Sequence, residues 1–143
     1  MLTIDANVFV SAAIASEIHH HESAQLLTEI RSRTEAVACP SLVIPETVAA
    51  ISRPTGDIRA AIRAGRQISA LPTIRMQPLT ARRAQRAARL AAHHRLRGAD
   101  SVYVQLAVEL GATLITWDIE MLIRASPVVT ALTPTDWLAA NPI

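Results

Sequence analysis

The sequence contains no lysine: all 14 of its Lys+Arg residues are arginine. That excludes a Walker-type phosphate loop, Schiff-base chemistry and Ser-Lys nucleophiles, each of which needs a lysine amine. A single cysteine, Cys39, excludes an internal disulfide and a multi-cysteine zinc site. Aromatic residues make up only 3% of the chain, too few for a stacking platform on single-stranded nucleic acid. No run of about 18 apolar residues occurs, and the N-terminus Met1-Leu2-Thr3-Ile4-Asp5 has no basic segment before its first acid. The expectation is a soluble cytoplasmic protein.

What is present points to a packed core. The 143 residues and 15.4 kDa suit one domain, and 50% of the residues are hydrophobic against 18% charged. The net charge of +2 and pI near 9.5 give a mild bias toward anionic partners.

Short apolar runs alternate with helical patterns. Leu2 to Ile4 reads as a buried strand feeding an alanine-rich helix, Ser23 to Ile30 as a helix, and Ala36 to Cys39 as a strand closed by Pro40. A helix follows with Ser41 as cap and Pro45 in or near its first turn, broken at Arg53-Pro54-Thr55-Gly56. Asp57 to Ala70 is a helix, Ile74 lies in a strand between two prolines, and Thr80 caps a helix running to about His94. Asp100 to Leu110 is an apolar helix ended by Gly111. Then come a strand, Ala112 to Thr116, a short helix, Ile119 to Ile123, an edge strand, Val128 to Leu132, and a last helix, Thr135 to Ala140. This alternation predicts an α/β fold, a three-layer α/β/α sandwich with a central parallel sheet. Ligands of such sheets bind beyond the carboxyl ends of the strands.

Four acids stand in apolar surroundings. Asp5 ends the first strand, and Asp118 repeats the arrangement after Leu114-Ile115-Thr116-Trp117. Asp100 opens an apolar helix, and Glu46 lies among Val43, Ile44, Val48 and Ile51. Each has a simpler alternative: helix capping for the aspartates, and a first-turn position favoured by the helix dipole for Glu46. The remaining acids considered, Glu17, Glu22, Glu29, Glu35 and Glu120, read as solvated. If the four converge, each pair at about 5 Å repels by roughly 1–4 kcal/mol. A divalent cation relieves that, and oxygen-only donors suit Mg²⁺ or Mn²⁺. Carboxylate-held metal with water in its open positions is equipment for phosphodiester hydrolysis.

The segments Ile4-Asp5-Ala6-Asn7-Val8, Pro45-Glu46-Thr47-Val48, Leu96-Arg97-Gly98-Ala99-Asp100-Ser101-Val102-Tyr103-Val104 and Leu114-Ile115-Thr116-Trp117-Asp118 resemble, in order and spacing, the motifs of the PIN domain. The chain, taken as one PIN-like domain over residues 1–143, is similar to the VapC-type toxins of toxin–antitoxin pairs. The resemblance implies a Mg²⁺- or Mn²⁺-dependent ribonuclease with Asp5, Glu46, Asp100 and Asp118 as catalytic and metal-binding quartet, supported by Asn7 and Thr116. It also implies an RNA substrate, a homodimer and a cognate antitoxin protein. Trp117 departs from the pattern, where a polar or basic residue is common; packing and base stacking are its two readings.

Arg97, three residues before Asp100, is a candidate substrate contact. Arg59, Arg63 and Arg66, and likewise Arg82, Arg86 and Arg89, form stripes that suit either a phosphate groove or a solvated face. His19-His20-His21 and His93-His94 lack partner cysteines, and adjacent histidines point apart, so zinc is not expected. Phe9 and Tyr103 are assigned to the core. A receiver or a haloacid-dehalogenase-type phosphatase also sets a strand-end aspartate beside Mg²⁺, but both need the absent lysine. A non-catalytic PIN-fold RNA- or partner-binding protein and a DNA-directed nuclease remain as alternatives.

Overall fold

The computed structural model describes residues 1–142. Its five strands are β1 (Leu2–Ile4), β2 (Val37–Pro40), β3 (Ile74–Gln77), β4 (Thr113–Ile115) and β5 (Ala131–Leu132). They form one sheet in the order β3-β2-β1-β4-β5 with every pair parallel. The helices are α1 (Ala6–Ala13), α2 (His20–Ser32), α3 (Val43–Thr55), α4 (Ile58–Ala70), α5 (Ala81–His94), α6 (Gly98–Leu110), α7 (Ile119–Ala125) and α8 (Pro134–Ala140). Burial explains the short apolar strands. β1 and β2 are buried at every position, whereas the edge strands β3 and β5 are only half-buried or exposed.

From β1 the chain steps outward through β2 to β3, then returns across the sheet to β4 and β5. Right-handed crossovers place helices formed on the outward run and on the return run on opposite faces. α1 packs on α2 and α3, and α3 on α4, while α6 lies across β1, β2 and β4 with α5 outside it. The expected three-layer sandwich is therefore observed. α6 is buried continuously from Ser101 to Ala107, as a helix between a sheet and another helix must be. The reversal falls between β1 and β4, and their carboxyl ends are the topological switch point. No helix among the described residues is long and apolar enough to cross a membrane.

Several boundaries differ from the sequence reading. α3 starts at Val43 after Leu42, with no side-chain cap from Ser41. It also runs through Pro54, ending at Gly56 with φ of 68°. Proline near a helix C-terminus loses only one late bond, and the glycine, free to be left-handed, sets the true stop. α6 begins two residues before Asp100, with Arg97 at its N-cap position, so Asp100 is a first-turn residue and not the cap. β5 is only two residues, because Val128 and Val129 turn back onto the Ala125 carbonyl. Asp57, Thr80 and Thr133 do cap their helices, the last in a reciprocal box with Asp136.

Gly65 of α4 allows the close approach to α3: a Cβ there would lie 2.7 Å from Val48 Cγ2. Glycine to alanine inside a helix ordinarily stabilises by about 1 kcal/mol. Overpacking costs about 1–3 kcal/mol, so Gly65→Ala is expected to lower stability in urea denaturation. Adding Val48→Ala to that variant should return part of the loss. A stabilised single variant would show that the two helices separate freely.

Candidate active site

The register of the central strands assembles the site. Ile4 pairs with Ile115, so Asp5 and Thr116 leave the sheet side by side. Thr116 Oγ1 accepts from Asn7 Nδ2 at 3.0 Å and from the Asp118 N–H at 3.0 Å. With both lone pairs engaged, the hydroxyl has its proton left to donate, and it does so to Asp5 Oδ2 at 2.7 Å. Asn7 Oδ1 in turn accepts the Trp117 N–H at 3.2 Å. Asp5 occupies the N-cap position of α1, yet its side chain makes no cap bond. Capping therefore does not account for it.

Asp5 is 8% exposed. Burial pushes its pKa from 3.8 to about 7, the Thr116 bond opposes that rise, and the charges of Asp100 and Glu46 add to it. Glu46, in the first turn of α3, accepts the Tyr103 hydroxyl at 2.5 Å. Burial raises its pKa, the Tyr103 bond opposes, and the Asp100 charge adds. Tyr103 is buried as expected of a core residue, but its hydroxyl serves Glu46. Apolar spacing identifies the ring and carries no signal for the oxygen. Burial and the neighbouring Glu46 carboxylate hold the phenol above its ordinary range.

Asp100 and Asp118 are joined by Arg97. Its Nε donates to Asp100 Oδ2 at 2.7 Å, and a terminal nitrogen pairs with Asp118 Oδ2. Asp118 Oδ1 accepts the Met121 N–H at 3.0 Å, so this residue does cap α7 while facing the site. Burial raises the Asp100 pKa against the opposing Arg97 bond and charge, and the Asp118 charge adds to the rise. Hydrogen bonds and ion pairs thus connect Asp5 through Thr116 to the Asp118 backbone and Asp118 through Arg97 to Asp100, and the Asp100 charge raises the pKa of both Asp5 and Glu46. The four acids do not, however, gather into a ready ligand cage: no group of three or more His, Cys, Asp or Glu side chains among the described residues is poised to hold a metal. Each carboxylate instead rests on a protein donor: Asp5 on Thr116, Glu46 on Tyr103, and Asp100 and Asp118 on the shared Arg97.

The donor chemistry fits a hard divalent ion. Asp5, Glu46, Asp100 and Asp118 offer carboxylate oxygen alone. The Cys39 thiol donates to the Ile4 carbonyl, and burial pushes its pKa to about 12, so it supplies no thiolate ligand.

Other candidates fall elsewhere. Trp117 stacks on His19, with ring centroids 3.8 Å apart and planes 7° off parallel, and its Nε1 donates to Ser23 Oγ at 2.8 Å. That is packing rather than an open base platform. His20 Nδ1 meets the Ser11 carbonyl at 3.0 Å, so both histidine rings are engaged in holding the start of α2. Both arginine stripes are exposed. Arg59, Arg63 and Arg66 line one groove of about 350 Å³ with Ile58 and Ile62, and none of the four acids lines it. Glu22 reads from the sequence as solvated, but one of its oxygens is buried without a partner, in the first turn of α2 where the helix dipole favours an anion.

Fold and site together define a doubly wound α/β protein whose polar residues collect at the carboxyl ends of its two central strands. The PIN domain family profile matches residues 2–125, and the chain belongs to the PIN domain family. Solved structures agree on the fold. VapC20 of Mycobacterium tuberculosis, a sarcin-ricin loop cleaving toxin, has a TM-score of 0.75 at 18% identity over 86% of this chain and 94% of its own. FitAcB of Neisseria gonorrhoeae gives 0.71 at 19%, covering 94% and 99%. A toxin-antitoxin complex from Klebsiella pneumoniae gives 0.66 at 16%, covering 94% and 98%. A search of curated proteins finds no match.

Asp5 binds its proton more tightly folded than unfolded, about 7 against 3.8, so the folded state holds more protons between these values. Stability accordingly falls as pH rises through that window: the contribution is whole below about pH 4 and lost above about pH 7. Asp5→Asn stays neutral throughout. In chelator, urea denaturation should find the variant more stable than the parent at pH 8, by up to roughly 4 kcal/mol, with the gap closing toward pH 4. Equal pH dependence would mean that Asp5 is ionised in the fold.

Proposed function

We propose that this chain is a divalent-metal-dependent endoribonuclease, the toxin of a toxin–antitoxin pair, acting in the cytoplasm as a homodimer. The observation that carries the reading is geometric: a buried Asp5 bonded to Thr116, which also accepts the Asp118 N–H, while Arg97 bridges Asp118 to Asp100 and Tyr103 of the same helix holds Glu46. Buried anions without a matching cation are costly, and Mg²⁺ or Mn²⁺ supplies one. Asp5, Glu46, Asp100 and Asp118 would hold it. Such an ion, when bound, lowers the pKa of water and neutralises charge on the phosphate.

The chain's own residues prepare the site. Thr116 and Asn7 fix the orientation of Asp5, and Tyr103 fixes Glu46. Asp118 is held by the N-terminus of α7, and α6 carries Asp100 in its first turn, just before its buried run. Family membership and likeness to VapC20, described as cleaving the sarcin-ricin loop, and to a toxin-antitoxin complex support an RNA substrate and an antitoxin partner.

Loss of an outer-sphere partner typically costs 10–100-fold in metal affinity or activity, so removing a direct ligand by Asp5→Asn or Asp100→Asn should reduce RNA cleavage by about a hundredfold or more. Circular dichroism should remain that of the parent, and chelation should reproduce the loss. A fully active Asp5→Asn protein would refute the reading. Bound Mn²⁺ without cleavage across a broad RNA panel would favour a PIN-fold binding protein, and cleavage that survives 2′-deoxy substitution at the scissile position would favour a DNA-directed nuclease.

A further inference from the structure

Arg83 and Arg97 each bridge separate elements through carboxylates, and they are held very differently. The Arg83 side chain is 17% exposed. It donates to both oxygens of Glu109, to the Pro78 carbonyl and to Gln77 Oε1, tying α5 to α6 and β3. The Arg97 side chain is 62% exposed and is held by two ion pairs, to Asp100 and Asp118. Its two partners are only 15% and 21% exposed, but the guanidinium itself stands in water, so solvent and other ligands can replace it on both carboxylates. It is also the cation whose charge reaches Glu46 and Asp100 together.

We propose that Arg97 is a displaceable cation: it neutralises Asp100 and Asp118 in the metal-free protein and turns to a nucleic-acid phosphate when a divalent ion takes those carboxylates. The inference rests on the nuclease reading and deepens it by naming a residue that couples metal to substrate. A guanidinium and a divalent ion cannot share the same two carboxylates without mutual repulsion, so binding of the ion expels the arginine. The freed fork is matched to phosphate oxygens as well as to carboxylates. Its position at the N-cap of α6, with an extended backbone and a solvent-exposed side chain, lets it turn outward without disturbing the core.

The test compares parent with Arg97→Ala. Mn²⁺ binding, followed by the electron paramagnetic resonance signal of the free ion, should tighten about fivefold in the variant, as expected for removing a cation that competes for the same two carboxylates. Affinity for a fluorescent phosphorothioate RNA oligonucleotide, read by anisotropy, should be equal for the two proteins in chelator. With Mn²⁺ present the variant should bind more weakly, with a salt dependence shallower by about 0.7 for one lost phosphate contact on a single strand. Unchanged or weaker Mn²⁺ binding by the variant overturns the proposal, as does an RNA affinity loss that is the same with and without metal. If neither protein binds Mn²⁺, the metal-dependent reading itself fails, and the two failures are thereby distinguished.

Discussion

The burial of the Asp5 carboxylate at the end of the central strand is the constraint around which this protein is arranged. An acid 8% exposed must find hydrogen bonds or a cation. It receives one hydroxyl, from Thr116, whose own acceptor sites are filled by Asn7 and the Asp118 N–H. The chain of bonds Asn7–Thr116–Asp5 therefore joins the start of α1 to the end of β4, segments at opposite ends of the sequence. Any change in the β1–β4 register would break it.

The same switch point explains why the polar groups are where they are. Outward and return crossovers diverge at the carboxyl ends of β1 and β4, leaving a crevice between the helices of the two faces. α3, α6 and α7 carry Glu46, Asp100 and Asp118 at or beside their N-termini. Helix dipoles favour anions there, partly offsetting repulsion among the four. Asp5 is buried there, and Asp100 and Asp118 are 15% and 21% exposed. The larger groove near Arg82, Arg83 and Arg86, about 480 Å³, is lined by none of the candidate acids and is walled by the fixed Arg83–Glu109 pair.

Stability and function pull in opposite directions at this edge. Packing asks for Asp5 to be neutral or paired, whereas the metal-dependent hydrolysis proposed for this chain asks for it to be anionic. Arg97, Thr116 and Tyr103 reconcile the two by giving each carboxylate a hydrogen-bonding partner. Tyr103 shows how the division works within one side chain: its ring fills the core beneath α6 while its hydroxyl orients Glu46. Gly65 shows the complementary case of pure packing, where absence of a side chain lets α3 and α4 approach.

Much of this is legible from residue order. Strand and helix alternation depends on local burial periodicity, so the sheet class, the cap at Thr80 and the helix end at Gly111 can be read directly. The candidate acids stand out because charges among apolar neighbours need a reason. What only the tertiary structure decided was pairing. Whether Asp5 caps a helix or faces Thr116, whether Arg97 reaches solvent or bridges Asp100 to Asp118, and whether Trp117 is open or stacked on His19 depend on register and crossover geometry. Those arise from contacts between residues far apart in the chain, and no local pattern encodes them.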